Sequence, residues 1–221
     1  MTMFIGFYYT PVPRRKVILS RIMTPRRNND NGHCSMKNAV TEKLLTTIRN
    51  KVKPTPGRDE IAFLRDYYHR LSGQDFTPSK ALEFRSAALR HRKLGQVRAP
   101  GKTLIEVYSL SDADRGTRKG AHNNNGKSAE HRDATIINII TDDKSFIIDS
   151  LTIKLNSLRK TLHRTVHPNF DVQRDHRHHR RAMTRFKGRQ MQSEGGVIES
   201  YIQFVIDFTP QSEHPSLVRA L

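Results

Sequence analysis

The sequence predicts an α+β fold: helices on the N-terminal side, then a strand–helix–strand–strand unit that is incomplete at its C-terminal end. Three observations carry this reading. Ile136, Ile137, Ile139 and Ile140 form a β-branched run bounded by Thr141-Asp142-Asp143, the pattern of a strand covered on both faces. Directly after it, Ile147, Ile148, Leu151, Leu155 and Leu158 share one stripe at the 3.6-residue period, and Phe146 and Ile153 broaden that stripe. The period then falls to two. Leu162, Arg164 and Val166 alternate with His163, Thr165 and His167, and later Ile202, Phe204, Ile206 and Phe208 alternate with Tyr201, Gln203, Val205 and Asp207.

Taken in chain order, residues 1–35 read as a basic, disordered extension, with Met36 the better candidate for the true start. The extension is Arg-rich and free of acids before Asp30, as transit peptides are, but Pro11 and Pro13 oppose an amphipathic helix there. Residues 36–98 read as a helical segment. Its first helix starts at Lys37, carries Val40, Leu44, Leu45 and Ile48, and stops at the breakers Pro54-Thr55-Pro56-Gly57. A second opens at Asp59, turns Ile61, Phe63, Leu64, Tyr67, Tyr68 and Leu71 inward, and closes at Ser72-Gly73. A third spans about Pro78 to Leu94, with Leu82, Phe84, Ala88 and Leu89. Residues 99–221 form the α+β domain.

In that domain Thr103–Leu110 reads as a strand and Ser111–Arg132 as a loop too polar to pack. Asp142 or Asp143 is placed to cap the following helix. Phe170 and Val172 continue the second strand beyond Pro168, Arg174–Arg189 reads as a basic loop, and Gly195-Gly196 as a hairpin turn. Strand, helix, strand, strand is the opening of a βαββαβ, ferredoxin-like unit. After the last strand only Ser216–Leu221 remains, about a turn and a half of helix, so the expectation is a domain truncated at its C-terminus, with part of its sheet uncovered and in need of a partner.

Composition bounds the function classes. The net charge is +18, and residues 1–53 and 154–190 each contribute eleven Lys and Arg against two acids. One cysteine, Cys34, allows no intrachain disulfide and fits a reducing compartment, hence a cytoplasmic location. No run approaches the ~18 apolar residues of a membrane span. No GxGxxG follows a strand, which leaves no readable dinucleotide site.

The stretches IAFLRDYYHRLSGQDF, KALEFRSAALRHRKLGQVRAPG, TLIEVYSL, TDDKSFIIDS with LHRTVHP, and ESYIQFVIDF occur in the same order in a known family. On them, roughly residues 37–210 resemble the N-terminal region of the large, NAD-specific glutamate dehydrogenases. The resemblance implies that residues 99–221 are an ACT-like domain, so that the fold is an incomplete ferredoxin-like (ACT-type) βαββ unit. It also implies a regulatory or assembly role in an enzyme that converts glutamate to 2-oxoglutarate with NAD. The dehydrogenase domain of such an enzyme lies outside this chain, which is then not an enzyme on its own and carries no cofactor. Its implied partners are the remainder of a glutamate dehydrogenase or a second copy of itself, and an amino-acid effector. Two departures stand out: Lys144-Ser145 replaces a Met-Pro pair, and the loop Arg174–Arg189 is longer and more basic than the family hairpin. With the early stop, they point to a truncated or split gene product.

The candidate effector contacts are Asp142, Asp143 and Asp149, an acidic patch at the helix entry; the competing reading is helix capping and solvation. No catalytic residue and no metal ligand is expected. His163 and His167 share a strand face, but four residues at ~3.3 Å separate them by about 13 Å, too far for one ion. The rival class is a free-standing basic module binding nucleic acid or another polyanion. It rests on the charge and on Tyr67, Tyr68 and Phe186 as stacking candidates, and its bland form is non-specific adsorption of nucleic acid.

Overall fold

A computed structural model describes residues 30–109, 134–188 and 192–221. Three helices come first: α1 (Asp30–Lys51), α2 (Arg58–Tyr67) and α3 (Ala81–Leu94), with a 3₁₀ turn at Pro78–Lys80 leading into α3. Then follow β1 (Leu104–Ser109), β2 (Thr135–Asp142), α4 (Ile147–Ser157), β3 (Leu162–Val166), β4 (Asn169–Arg174), β5 (Arg180–Arg185), β6 (Gly196–Ile206) and α5 (His214–Ala220). The family-like α+β order expected from the sequence is present. Most of the N-terminal extension, the polar loop and Leu110 lie outside the described residues, and α1 begins at Asp30 rather than Lys37.

Every strand pairing is antiparallel. The order is β1-β2-β6-β4-β5, and β3 also pairs with β6. β2 and β4 therefore run parallel with β6 between them, and α4 crosses from one to the other, giving a split βαβ. β3 and β4 lie end to end along β6: β3 pairs with Gln203–Ile206 and β4 with Gly196–Ser200, so the second strand does continue past Pro168. The incomplete unit is closed from the other direction. β1 pairs with the outer edge of β2 and runs parallel to β6, filling the position that a strand after a second crossover would take.

Two cores result. β2 and β6 send alternate side chains to opposite faces, as period two requires. Ile140, Tyr201, Phe170, Val172 and Val166 meet Leu44, Leu45, Ile48, Phe63, Leu64, Tyr67, Tyr68, Phe84 and Ala88 of the helical layer. Ile137, Ile139, Ile202, Phe204 and Ile206 meet Leu151 and Leu155 of α4 and Leu217 of α5. All six inward residues expected for the second helix are buried.

Four local expectations are corrected. Phe146 and Ile153 do not widen the buried stripe of α4; they are 78% and 69% exposed. Neither Asp142 nor Asp143 caps α4: its N-cap is Phe146, at φ 64°, with no side-chain cap bond. Leu162 does not share a face with Arg164 and Val166. The β3–β6 register shifts between Leu162 and Arg164, so Leu162 joins the α4 core while Val166 joins the helical-layer core and Arg164 stacks over Phe84. Finally, Arg180–Arg185 of the supposed basic loop is a strand paired with β4.

Candidate functional site

The basic hairpin is tied to the rest of the molecule by a buried charge network. Glu199, fully buried in β6, accepts from Arg98 Nη1 at 3.0 Å and from Arg174 Nε and Nη2 at 2.8 and 2.9 Å. Arg98 reaches Asp142 through Nη2 at 2.5 Å and donates from Nε to the Lys102 carbonyl. Arg174 also donates to the Gly95 and His178 carbonyls, and Arg180 to the Arg92 carbonyl and Gln96 Oε1. These bonds fasten the carbonyl-rich C-terminal end of α3, where cations are favoured, to the β4–β5 hairpin. The cost of burying charge is met because each charged head carries several bonds.

A cleft of about 510 Å³ opens where the helical layer meets the sheet, a place where ligand sites tend to form. The chain just beyond α2 brings His69 and Arg70, the turn after β2 brings Asp143, and the β3–β4 junction brings His167 and Asn169. The end of β5 brings Arg185, Phe186 and Lys187. A second cavity of about 190 Å³ adjoins it, sharing His69, Arg70 and His167 and bounded further by Leu71, Val166 and Pro168. Pro168 has a direct part in placing these groups: it interrupts the long β3–β4 strand, and its carbonyl takes the Tyr201 amide at 3.0 Å.

Both histidines are held neutral. Burial pushes His69 down to about 4, and the Arg185 and Arg70 charges push the same way; its ring Nδ1 lies 2.9 Å from the Asp66 carbonyl. Burial also lowers His167, with Arg70 assisting and Asp143 opposing. Among the described residues, the buried His167 Nε2 and Arg185 Nε have no hydrogen-bond partner; the nearest charge to Arg185 Nε is Asp66 Oδ1 at 3.8 Å.

The three sequence-predicted acidic residues do not converge. Asp142 is bound to Arg98, and Asp149 is exposed in the first turn of α4, complementing the helix dipole. Asp143 alone borders the cleft, where it accepts from Ser200 Oγ at 2.8 Å. His163 and His167 line different cavities. Among the described residues, no three His, Cys, Asp or Glu side chains gather as a metal site would require. Tyr67 and Tyr68 are core residues, the first bonded to His91 and the second to the Phe84 carbonyl, so neither is available to stack on a base. Sequence reasoning missed Arg70, Arg185 and Lys187 because the cleft gathers them from elements more than a hundred residues apart. No helix among the described residues is long and apolar enough to cross a membrane.

Comparison with curated proteins and with solved structures finds no match. The family described as glutamate dehydrogenase, ACT1 domain, matches residues 63–221, which include α3, the whole sheet and every residue lining the cleft. The chain belongs to the glutamate dehydrogenase ACT1-domain family.

Proposed function

We propose that the chain is a non-catalytic regulatory and assembly segment of a large, NAD-dependent glutamate dehydrogenase, acting in the cytoplasm on an enzyme that converts glutamate to 2-oxoglutarate. The observation that carries this reading is the family match, which spans the sheet, α3, α4 and every residue lining the cleft. NAD belongs to the remainder of the enzyme, and this chain contributes a surface and an effector pocket. Asp143 is the predicted acidic residue best placed to touch an effector, because of the three it alone borders the cleft.

The test is reconstitution. The 221-residue chain is added to the dehydrogenase portion of a family member made without its N-terminal region. Assembly by light scattering and the glutamate KM are followed with and without amino acids and tricarboxylates. A change in assembly or in effector response supports the reading. Unchanged assembly and unchanged kinetics across all effectors would sink it.

The second reading, a polyanion-binding module, has the +18 charge in its favour and the exposed Arg177 and Lys187 on or beside one hairpin. It draws less from residues 154–190 than the charge count implies. Lys160, Arg164, Arg174, Arg181 and Arg185 each face a carboxylate within the molecule, and Arg180 is spent on carbonyls.

A further inference from the structure

We propose that the cleft at the junction of the helical layer and the sheet binds a small organic oxyanion carrying at least two negative charges, its acidic groups held by Arg70, Arg185 and Lys187. This deepens the regulatory reading by naming the ligand chemistry, and it can be tested without the rest of the enzyme.

Three lines of geometry support it. First, cations are in excess at the cleft: Arg70, Arg185 and Lys187 stand against Asp143, which already accepts from Ser200, and against Asp66, which faces Arg185 Nε at 3.8 Å from behind the lining. Cations converging in a concave, partly desolvated site strengthen their attraction for an anion. Second, buried hydrogen-bonding capacity is unused. Arg185 Nε and His167 Nε2 are shielded from solvent without a hydrogen-bond partner among the described residues. A buried unmet polar atom costs about 1–3 kcal/mol, and an oxyanion seated there satisfies the guanidinium directly. Third, the space suits a molecule rather than an ion. The 510 Å³ cleft continues into the 190 Å³ cavity against Leu71, Val166 and Pro168, which offers apolar contact to a short carbon skeleton.

A polynucleotide fits less well. Phe186 is the one Phe, Tyr or Trp ring among the described residues lining the larger cleft, whereas single-strand binders pair a long basic groove with successive stacking rings.

The experiment is calorimetric titration of the 221-residue chain at fixed ionic strength with succinate, citrate, inorganic phosphate and acetate. Arg70→Gln and Lys187→Gln are the site variants. Both residues are exposed, so the variants are expected to fold, and circular dichroism checks that they do. Arg177→Gln is the control, an equal loss of charge on an exposed residue outside the cleft. Saturable binding of citrate or succinate in preference to acetate, weakened about tenfold by each site variant and untouched by Arg177→Gln, supports the proposal; tenfold corresponds to ~1.4 kcal/mol. Tight binding by phosphate over the carboxylates, with the same variant pattern, assigns the acidic group as phosphoryl and keeps the site. Absence of saturable heat with every probe overturns the proposal, as does an equal loss in Arg177→Gln, which would mean general charge adsorption. The regulatory reading fails separately: anion binding that leaves the assembled dehydrogenase unaffected retains the site and removes its regulatory meaning.

Discussion

At the residue scale, the buried ionic groups show how a highly basic chain holds its shape. Glu199 is the anchor: it is fully buried and receives two guanidinium groups. Glu199→Ala leaves Arg98 and Arg174 buried without that counter-charge, and removing one member of such a set costs about 3–5 kcal/mol. Urea unfolding midpoints measure the loss. His91 is the opposite case, a fully buried imidazole kept neutral. Its Nδ1 lies 2.8 Å from the Tyr67 hydroxyl and its Nε2 3.2 Å from the Ile139 carbonyl, and burial lowers it from its ordinary 6.5 to about 3. Between those values the unfolded chain binds a proton that the folded chain refuses. Stability due to His91 is therefore complete above about pH 6.5 and declines as pH falls toward 3, by about 1.4 kcal/mol per pH unit. Thermal melts across pH 3 to 7 should show this acid limb, and His91→Phe should make it shallower, leaving the share of the likewise depressed His69 and His167. That variant also lowers stability at neutral pH, because the Tyr67 hydroxyl loses its partner.

At the element scale, α4 is held by few residues. Leu155 is fully buried and Ile153 is 69% exposed, though both lie on the apolar stripe the sequence predicts. Leu155→Ala should cost about 2–5 kcal/mol by chemical denaturation, whereas Ile153→Ala should stay within about 0.5 kcal/mol. The entry to α4 is unusual. Phe146 stands in the left-handed region at φ 64° and is 78% exposed, so little packing offsets the steric cost of its Cβ. Phe146→Gly should raise stability by about 1 kcal/mol, read as an increase in melting temperature. The end of α3 shows a tighter constraint. Gly95 lies against the Tyr201 hydroxyl and Ile140, and a methyl group there would overlap both. This close approach brings the Gly95 carbonyl within 3.1 Å of Arg174.

At the scale of the whole molecule, the sheet is the keel between two helical layers. β2 and β6 are central and buried on both faces, while β1 and β5 are edges, β5 carrying four polar residues in RRAMTR. Amide exchange should therefore be slowest in β2 and β6 and markedly faster in β1 and β5; equal protection across all five positions in the sheet would contradict this architecture. Charge also acts at this scale. A binder making six phosphate contacts loses about a thousandfold in affinity from 50 to 200 mM salt. With much of the 154–190 charge engaged internally, the described surface should show a shallower salt dependence than the +18 total implies, measurable by filter binding to a non-specific duplex.

The helices, the central strands and the two faces of β6 were legible in the sequence because each depends on a local period. Apolar spacing of 3.6 or 2 needs no distant partner to be read, and Tyr201 against Ile202 separated to opposite cores as their alternation required. The fate of the polar residues depended on what the folded chain set beside them. Asp142 pairs with Arg98 instead of capping a helix, and the basic run after Asp171 forms a clamp and a strand because Glu199 and the end of α3 lie opposite it. The slip at β3 reverses Leu162 relative to Arg164, a change of one residue in register that the alternating pattern does not reveal. The sequence by itself thus determined the family and the element order except for β5. Only the tertiary structure decided that β1 closes the sheet beside β2 and that Arg70, Arg185, Lys187 and His167 share one cleft. Hydrophobic periodicity is written along the chain, whereas a site of converging charges exists only once distant segments are packed together.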